Sequence, residues 1–177
     1  MLRNRLQEEI MSFAPDFVKE FREEIIRLKK DKKSLQGKLS NIVGKTAELQ
    51  LMSEFRRNKQ FILSTYFQNV TDDTLLSIID VKTRFYIQRQ DGKNMEIDVI
   101  AESDCGRVII AEVKKLSKPA GIAIISQFME KIDVYSQLYS EKKVLPAVFS
   151  LGGFTDEAME FCRLNNIAIT DKLKFIL

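Results

Sequence analysis

Two short segments of the chain, EID at Glu96–Asp98 and EVK at Glu112–Lys114, carry residue types that can do chemistry together. Residues two apart in a strand share a face, so Glu112 and Lys114 point one way and Val113 the other. A three-residue hairpin loop, Asp104-Cys105-Gly106, with Gly106 in the left-handed conformation, would set Ser103 across from Arg107. Counting back along that ladder places Asp98 opposite Glu112 and Glu96 opposite Lys114. Directly opposed side chains of an antiparallel pair have Cβ atoms about 4.5–5.5 Å apart. Two carboxylates at that separation repel, and a cation is needed to offset them. Mg²⁺, with Mn²⁺ as its substitute, binds oxygen ligands and retains several waters, and Lys114 adds a fixed ammonium beside it. An ion that acidifies water next to an ammonium suits hydrolysis of a phosphodiester. The plainer reading of a strand-end Glu-x-Lys is an exposed cross-strand ion pair.

Composition narrows the alternatives. The 177-residue chain has no histidine, which excludes Ser/His and Cys/His nucleophile pairs, histidine-ligated zinc and a histidine general base. Its two cysteines, Cys105 and Cys162, lack metal-knuckle or disulfide-framework spacing and read as a turn residue and a buried helix residue. No apolar run is long enough to span a membrane, and the first residues lack the apolar stretch of a signal peptide, so a cytoplasmic protein is expected. Residues 1–60 hold fourteen Lys/Arg against nine Asp/Glu, while residues 61–177 hold fourteen against sixteen. The basic N-terminal third would favour a polyanion such as nucleic acid, or is simply a solvated helix face.

The elements that must position these residues follow from periodicity. Met11, Ala14, Val18, Phe21, Ile25, Leu28, Lys32, Leu35, Leu39 and Ile42 step by three and four, the a/d seam of a heptad repeat. The seam wants a partner helix, and Lys32 at an a position costs stability while helping to fix register. Pro15 suits the first helical turn, and Gly37 marks an expected weak point between this helical arm, residues 1–40, and a globular domain, residues 41–177. A second helix is expected from about Asn41 to Ser64, then strands around Thr83 to Arg89, Met95 to Glu102 and Arg107 to Lys114. An amphipathic helix at about Ile122 to Tyr139, a strand at Val144 to Ser150, a helix capped by Thr155 and a strand at Ile167 to Thr170 complete the chain.

With this order of elements, the EID and EVK motifs resemble those of the PD-(D/E)xK nuclease superfamily, over roughly residues 40–177. The resemblance implies an α/β fold with a restriction-endonuclease-like core, a mixed sheet flanked by helices in the order α-β-β-β-α-β-α-β, here preceded by a long helix. It implies a metal-dependent endonuclease acting on DNA. Asp98 and Glu112 map onto its metal-binding acids and Lys114 onto its lysine, with a backbone carbonyl near Val113 aiding the ion. Glu48 in GKTAELQ matches the further acid some members carry on the preceding helix, with Glu54 the weaker choice, and Gln127 matches a glutamine some branches place beside the lysine. Ile97 stands where the motif's name has proline, and Tyr135 lies eight positions after Gln127 rather than the four used in one helicase-nuclease branch.

Other roles compete for several residues. Phe85, Tyr86 and Phe128 are either base-stacking or core residues, and Glu96 is either a partner for Lys114 or a surface acid. A different class of function also fits: an inactive DNA-binding or assembly module in which the coiled coil is the working part. The arm is expected to form a homodimer or dock on a partner helix, or else to fold back and steady a monomer.

Overall fold

The computed structural model describes Arg5, residues 15–114 and residues 118–172, so Met11 and Ala14 of the heptad seam lie outside the described residues. The chain forms two compact units, residues 1–42 and residues 43–177. A single helix, α1 (Pro15–Arg57), contributes to both. The break expected at Gly37 is absent: a glycine costs a helix interior about 1 kcal/mol, and the strong helix formers in KKSLQGKL carry the helix through it. The second helix expected from Asn41 is therefore the C-terminal half of α1.

α1 also stops earlier than Ser64, and an aromatic cluster explains why. After Arg57 the chain turns into a two-residue strand, β1 (Gln60–Phe61), and a 3-10 turn at Leu63–Thr65. The turn lays Phe61 against Phe55, ring centroids 5.2 Å apart, and sets Tyr66 edge-on to both rings. The Asn58 side-chain amide donates to the Tyr66 hydroxyl at 2.8 Å. Continuing the helix would carry Phe61 away from this buried cluster.

The remaining strands are β2 (Leu76–Gln88), β3 (Asn94–Ser103), β4 (Arg107–Lys114), β5 (Lys143–Ser150) and β6 (Ala168–Thr170). Helix α2 (Ile122–Leu138) joins β4 to β5, and α3 (Asp156–Leu164) joins β5 to β6. The six strands make one sheet in sequence order. β1 to β4 are antiparallel neighbours, and β5 and β6 run parallel to β4. This is a mixed α/β fold, a mixed sheet flanked by helices and preceded by a long helix, in the element order the sequence implied with β1 added. β2 begins seven residues before the expected Thr83. Leu76 and Ile78 are buried two apart, and a register shift between Ile78 and Asp80 conceals the alternation that continues at Val81.

Core residues cover both faces of the sheet. Ala47, Leu51 and Phe55 of α1 pack with Val99, Ala101, Ile109, Ala111 and Val113. On the other face Ile125, Phe128 and Ile132 of α2 and Cys162 of α3 pack with Ile100, Val108, Ile110 and Val148. β4 is thus buried on both sides, which is why VIIA is a continuous apolar run rather than an alternating one. Phe128 is a core residue, and Phe85 packs partly buried at the edge of the same cluster. α3 starts at its expected cap, where Thr155 Oγ1 accepts from the Ala158 N–H at 3.2 Å.

Candidate active site

The hairpin that aligns the motifs has the register the loop count gives. Gly106 has φ +75°, a conformation glycine adopts without steric cost. The Ser103 hydroxyl donates to the Arg107 carbonyl at 2.7 Å across the loop, and the pairs Glu102↔Val108, Ala101↔Ile109, Ile100↔Ile110 and Val99↔Ala111 follow. The backbone ladder of β3 and β4 stops at Val99↔Ala111, one step short of Asp98 and Glu112. There the Asp98 side chain takes over, its Oδ2 accepting from the Val113 N–H at 2.8 Å.

An irregularity in the strands accounts for this change. The β2–β3 register pairs Thr83 with Val99 and Phe85 with Ile97, which leaves Arg84 across from Asp98. Arg84 has φ +54°, in the left-handed region. Val99 belongs to the core layer beside α1 and Ile97 to the layer beside α2, although residues two apart in a regular strand share a face. The kink at Arg84 and Asp98 lets the strand pass from one facing to the other.

Glu112 is buried, 4% exposed, and lies on the α2 side of the sheet by its alternation with Val108 and Ile110. Both its oxygens are held by ammonium groups: Oε1 accepts from Lys114 Nζ at 2.6 Å and Oε2 from Lys131 Nζ at 2.7 Å. Asp98 is partly buried. Burial first, and the Glu112 charge second, push its carboxyl up to about 6, against the Val113 N–H and the charges of Lys131 and Lys114, which pull it down. Two acids and two lysines therefore form one interacting group with balanced formal charge. Ser150, in register with Lys114 on β5, is fully buried, and its hydroxyl has no hydrogen-bond partner among the described residues.

The structure brings Asp98, Glu112, Lys114 and the Val113 backbone together, and the other candidates have surroundings of their own. Glu48 is buried on α1 and accepts from Arg84 Nε at 3.3 Å, so it is tied to the residue across from Asp98. Gln127 is exposed on α2. Glu96 accepts from the Tyr86 hydroxyl on the exposed sheet surface. Glu54 pairs with Arg57 on its own helix. Among the described residues no three Asp, Glu or Cys side chains gather in a group able to hold a metal ion.

Lys131 is the residue that sequence reasoning missed. It lies one turn beyond Gln127, with buried Phe128 three positions before it and buried Tyr135 four after it. Those spacings put it on the packed side of α2, where a lysine needs an acid partner. That was the available signal.

The donor set fits a hard divalent cation. Mg²⁺ takes one or two carboxylates and completes its shell with water, and Asp98 and Glu112 supply that number. The N–H and C=O of one strand residue point to the same side, so the Val113 carbonyl lies on the strand edge that faces Asp98.

No protein-family model matches the chain, and no curated sequence matches it. Among solved structures it is similar to the protein of unknown function AF1548, at 22% identity and a TM-score of 0.44, over 51% of this chain and 47% of that one. It is also similar to a repair endonuclease from Pyrococcus abyssi, at 16% identity and a TM-score of 0.42, over 55% of this chain and 38% of that one. The chain spans less than half the length of either protein.

Proposed function

We propose that residues 43–177 form a metal-dependent nuclease domain that hydrolyses phosphodiester bonds, with DNA as its substrate. The observation that carries this reading is the Asp98–Glu112 pair, brought together just beyond the last β3–β4 ladder pair and served by two lysines. Asp98, Glu112 and the Val113 carbonyl would hold Mg²⁺, which supplies Lewis acidity toward a phosphate oxygen and toward water. Each Glu112 oxygen keeps a second lone pair beside its ammonium partner, so it could meet the ion while an ammonium shifts aside. Lys114, with 31% of its side chain exposed against 17% for Lys131, is the one with room to turn outward. Its ammonium then orients the attacking water and offsets charge building on the phosphate oxygens as the bond to the leaving oxygen breaks. Lys131 stays on Glu112 and fixes its rotamer.

Balanced charge also favours a second reading. Two acids neutralised by two lysines make a self-sufficient buried cluster, as expected of a domain that binds or assembles without catalysis. Supercoiled plasmid incubated with Mg²⁺, Mn²⁺ or EDTA separates the two, using the wild-type chain and an Asp98→Asn variant, whose amide oxygen still accepts from Val113. Nicking that needs the metal and disappears in the variant supports hydrolysis. Equal behaviour of the two proteins in all three conditions removes it.

A further inference from the structure

Among the described residues of the α1 seam, Phe21, Leu28, Leu35 and Leu39 are each more than half exposed, and Val18 and Ile25 are half-buried. We infer that the arm, from Phe17 to Ile42, pairs with the same segment of a second copy of this chain as a parallel, in-register, two-stranded coiled coil.

Three features select that occupant. The seam keeps a 3.5-residue repeat, with Val18, Ile25, Lys32 and Leu39 at a and Phe21, Leu28, Leu35 and Ile42 at d. β-branched Val18 and Ile25 at a with Leu28 and Leu35 at d favour two parallel strands, against the opposite pattern of Leu39 at a and Ile42 at d.

The flanking charges are complementary to themselves. In a parallel pair each g residue meets the e residue of the other helix's next heptad, so Glu24 of one copy faces Lys29 of the other, twice over. Among the described residues of one chain Glu24 makes an exposed contact to Arg27, at 2.9 Å, a kind of pair worth little. An antiparallel pair with the same overlap keeps a Glu24–Lys38 contact but sets Lys29 against Lys29 and Asp31 against Asp31.

The third feature is the polar layer. Lys32 would meet its equivalent at a, a cost that fixes register and strand number. Asp31, at the g position just before it, flanks the opposite copy's Lys32 and offsets that cost.

Direction has a consequence for function. A helix rises 1.5 Å per residue, so the arm is about 40 Å long. A parallel pair brings the two following domains to the same end of the coil, whereas an antiparallel pair separates them by about that length.

Sedimentation equilibrium of the full chain tests the pairing, beside a Leu28→Asp/Leu35→Asp variant. Both substituted side chains are exposed, so the variant should fold as the wild type does. A wild-type dimer and a monomeric variant with reduced helical circular dichroism are expected. A monomeric wild type, including one that associates only with a different protein, would overturn the inference, as would a dimer that survives in the variant. Direction is read from Leu28→Cys in a Cys105→Ser background, where Cys162 is buried. Oxidation should link the copies through residue 28, because d faces d in a parallel coil; a dimer that does not cross-link refutes the parallel register. None of these readouts depends on nuclease activity.

Discussion

Substituting Asp98 by asparagine should make the metal-free protein more stable at neutral and alkaline pH, and should flatten its dependence on pH. The native carboxyl is raised from 3.8 to about 6 by burial and by Glu112. Between those values the folded state holds a proton that the unfolded state has released. Stability therefore falls as pH rises through about 6, and ionised Asp98 opposes folding above it. At full effect the raised carboxyl corresponds to a few kcal/mol, of which about 1 kcal/mol is lost between about pH 5 and pH 8. The chain has no histidine to titrate in that window. Asp72, held well below the usual carboxylate range by Lys143, Thr74 and Arg107, stays ionised throughout it. Urea denaturation in EDTA at several pH values measures the effect, since Asp98→Asn keeps the acceptor for Val113 and removes the charge. Mg²⁺ should abolish the wild-type slope by favouring the ionised form. A wild-type profile flat from about pH 5 to pH 8, or a variant with the same slope, would refute the electrostatic account of the pair.

Three further outcomes follow from the same structure. Lys131→Met should raise the Asp98 carboxyl further, because Lys131 is one of the charges holding it down; a carboxyl NMR titration reads this, and an unchanged midpoint would place Lys131 outside the cluster. Phe55→Ala empties a fully buried position stacked on Phe61 and edge-on to Tyr66, and should cost about 3–5 kcal/mol in denaturant unfolding. Gly106→Ala forces a side chain into φ +75°, and should cost about 1–2 kcal/mol by the same measurement; a neutral result would mean the hairpin register does not depend on that turn.

Much of the site's geometry was legible because it is local. A three-residue loop with glycine at its left-handed position leaves one register for the flanking strands, and counting along it leads to Val99↔Ala111, one step short of Asp98 and Glu112. The same holds for Thr155, whose capping bond lies within a single turn. The kink at Arg84 was not legible: nothing in TRFYI signals a positive φ, and the kink shows only once β3 lies alongside. Glu48 could be read as an acid on a helix, but its bond to Arg84 depends on that kink.

Lys131 separates the two kinds of information most clearly. The sequence by itself determined the order of the main elements, the hairpin register, the helix cap and the lack of histidine that confines the chemistry to oxygen ligands and lysines. Each follows from short-range sterics, residue identity or periodicity. Tertiary structure alone decided that both oxygens of Glu112 would be held, one by a neighbour two residues away and one by a lysine nineteen positions on. Helix α2 can set Lys131 on Glu112 only because Ile125, Phe128 and Ile132 bury against β4 and β5. Packing between distant segments fixes the rotation of a helix about its axis, and no local rule contains it.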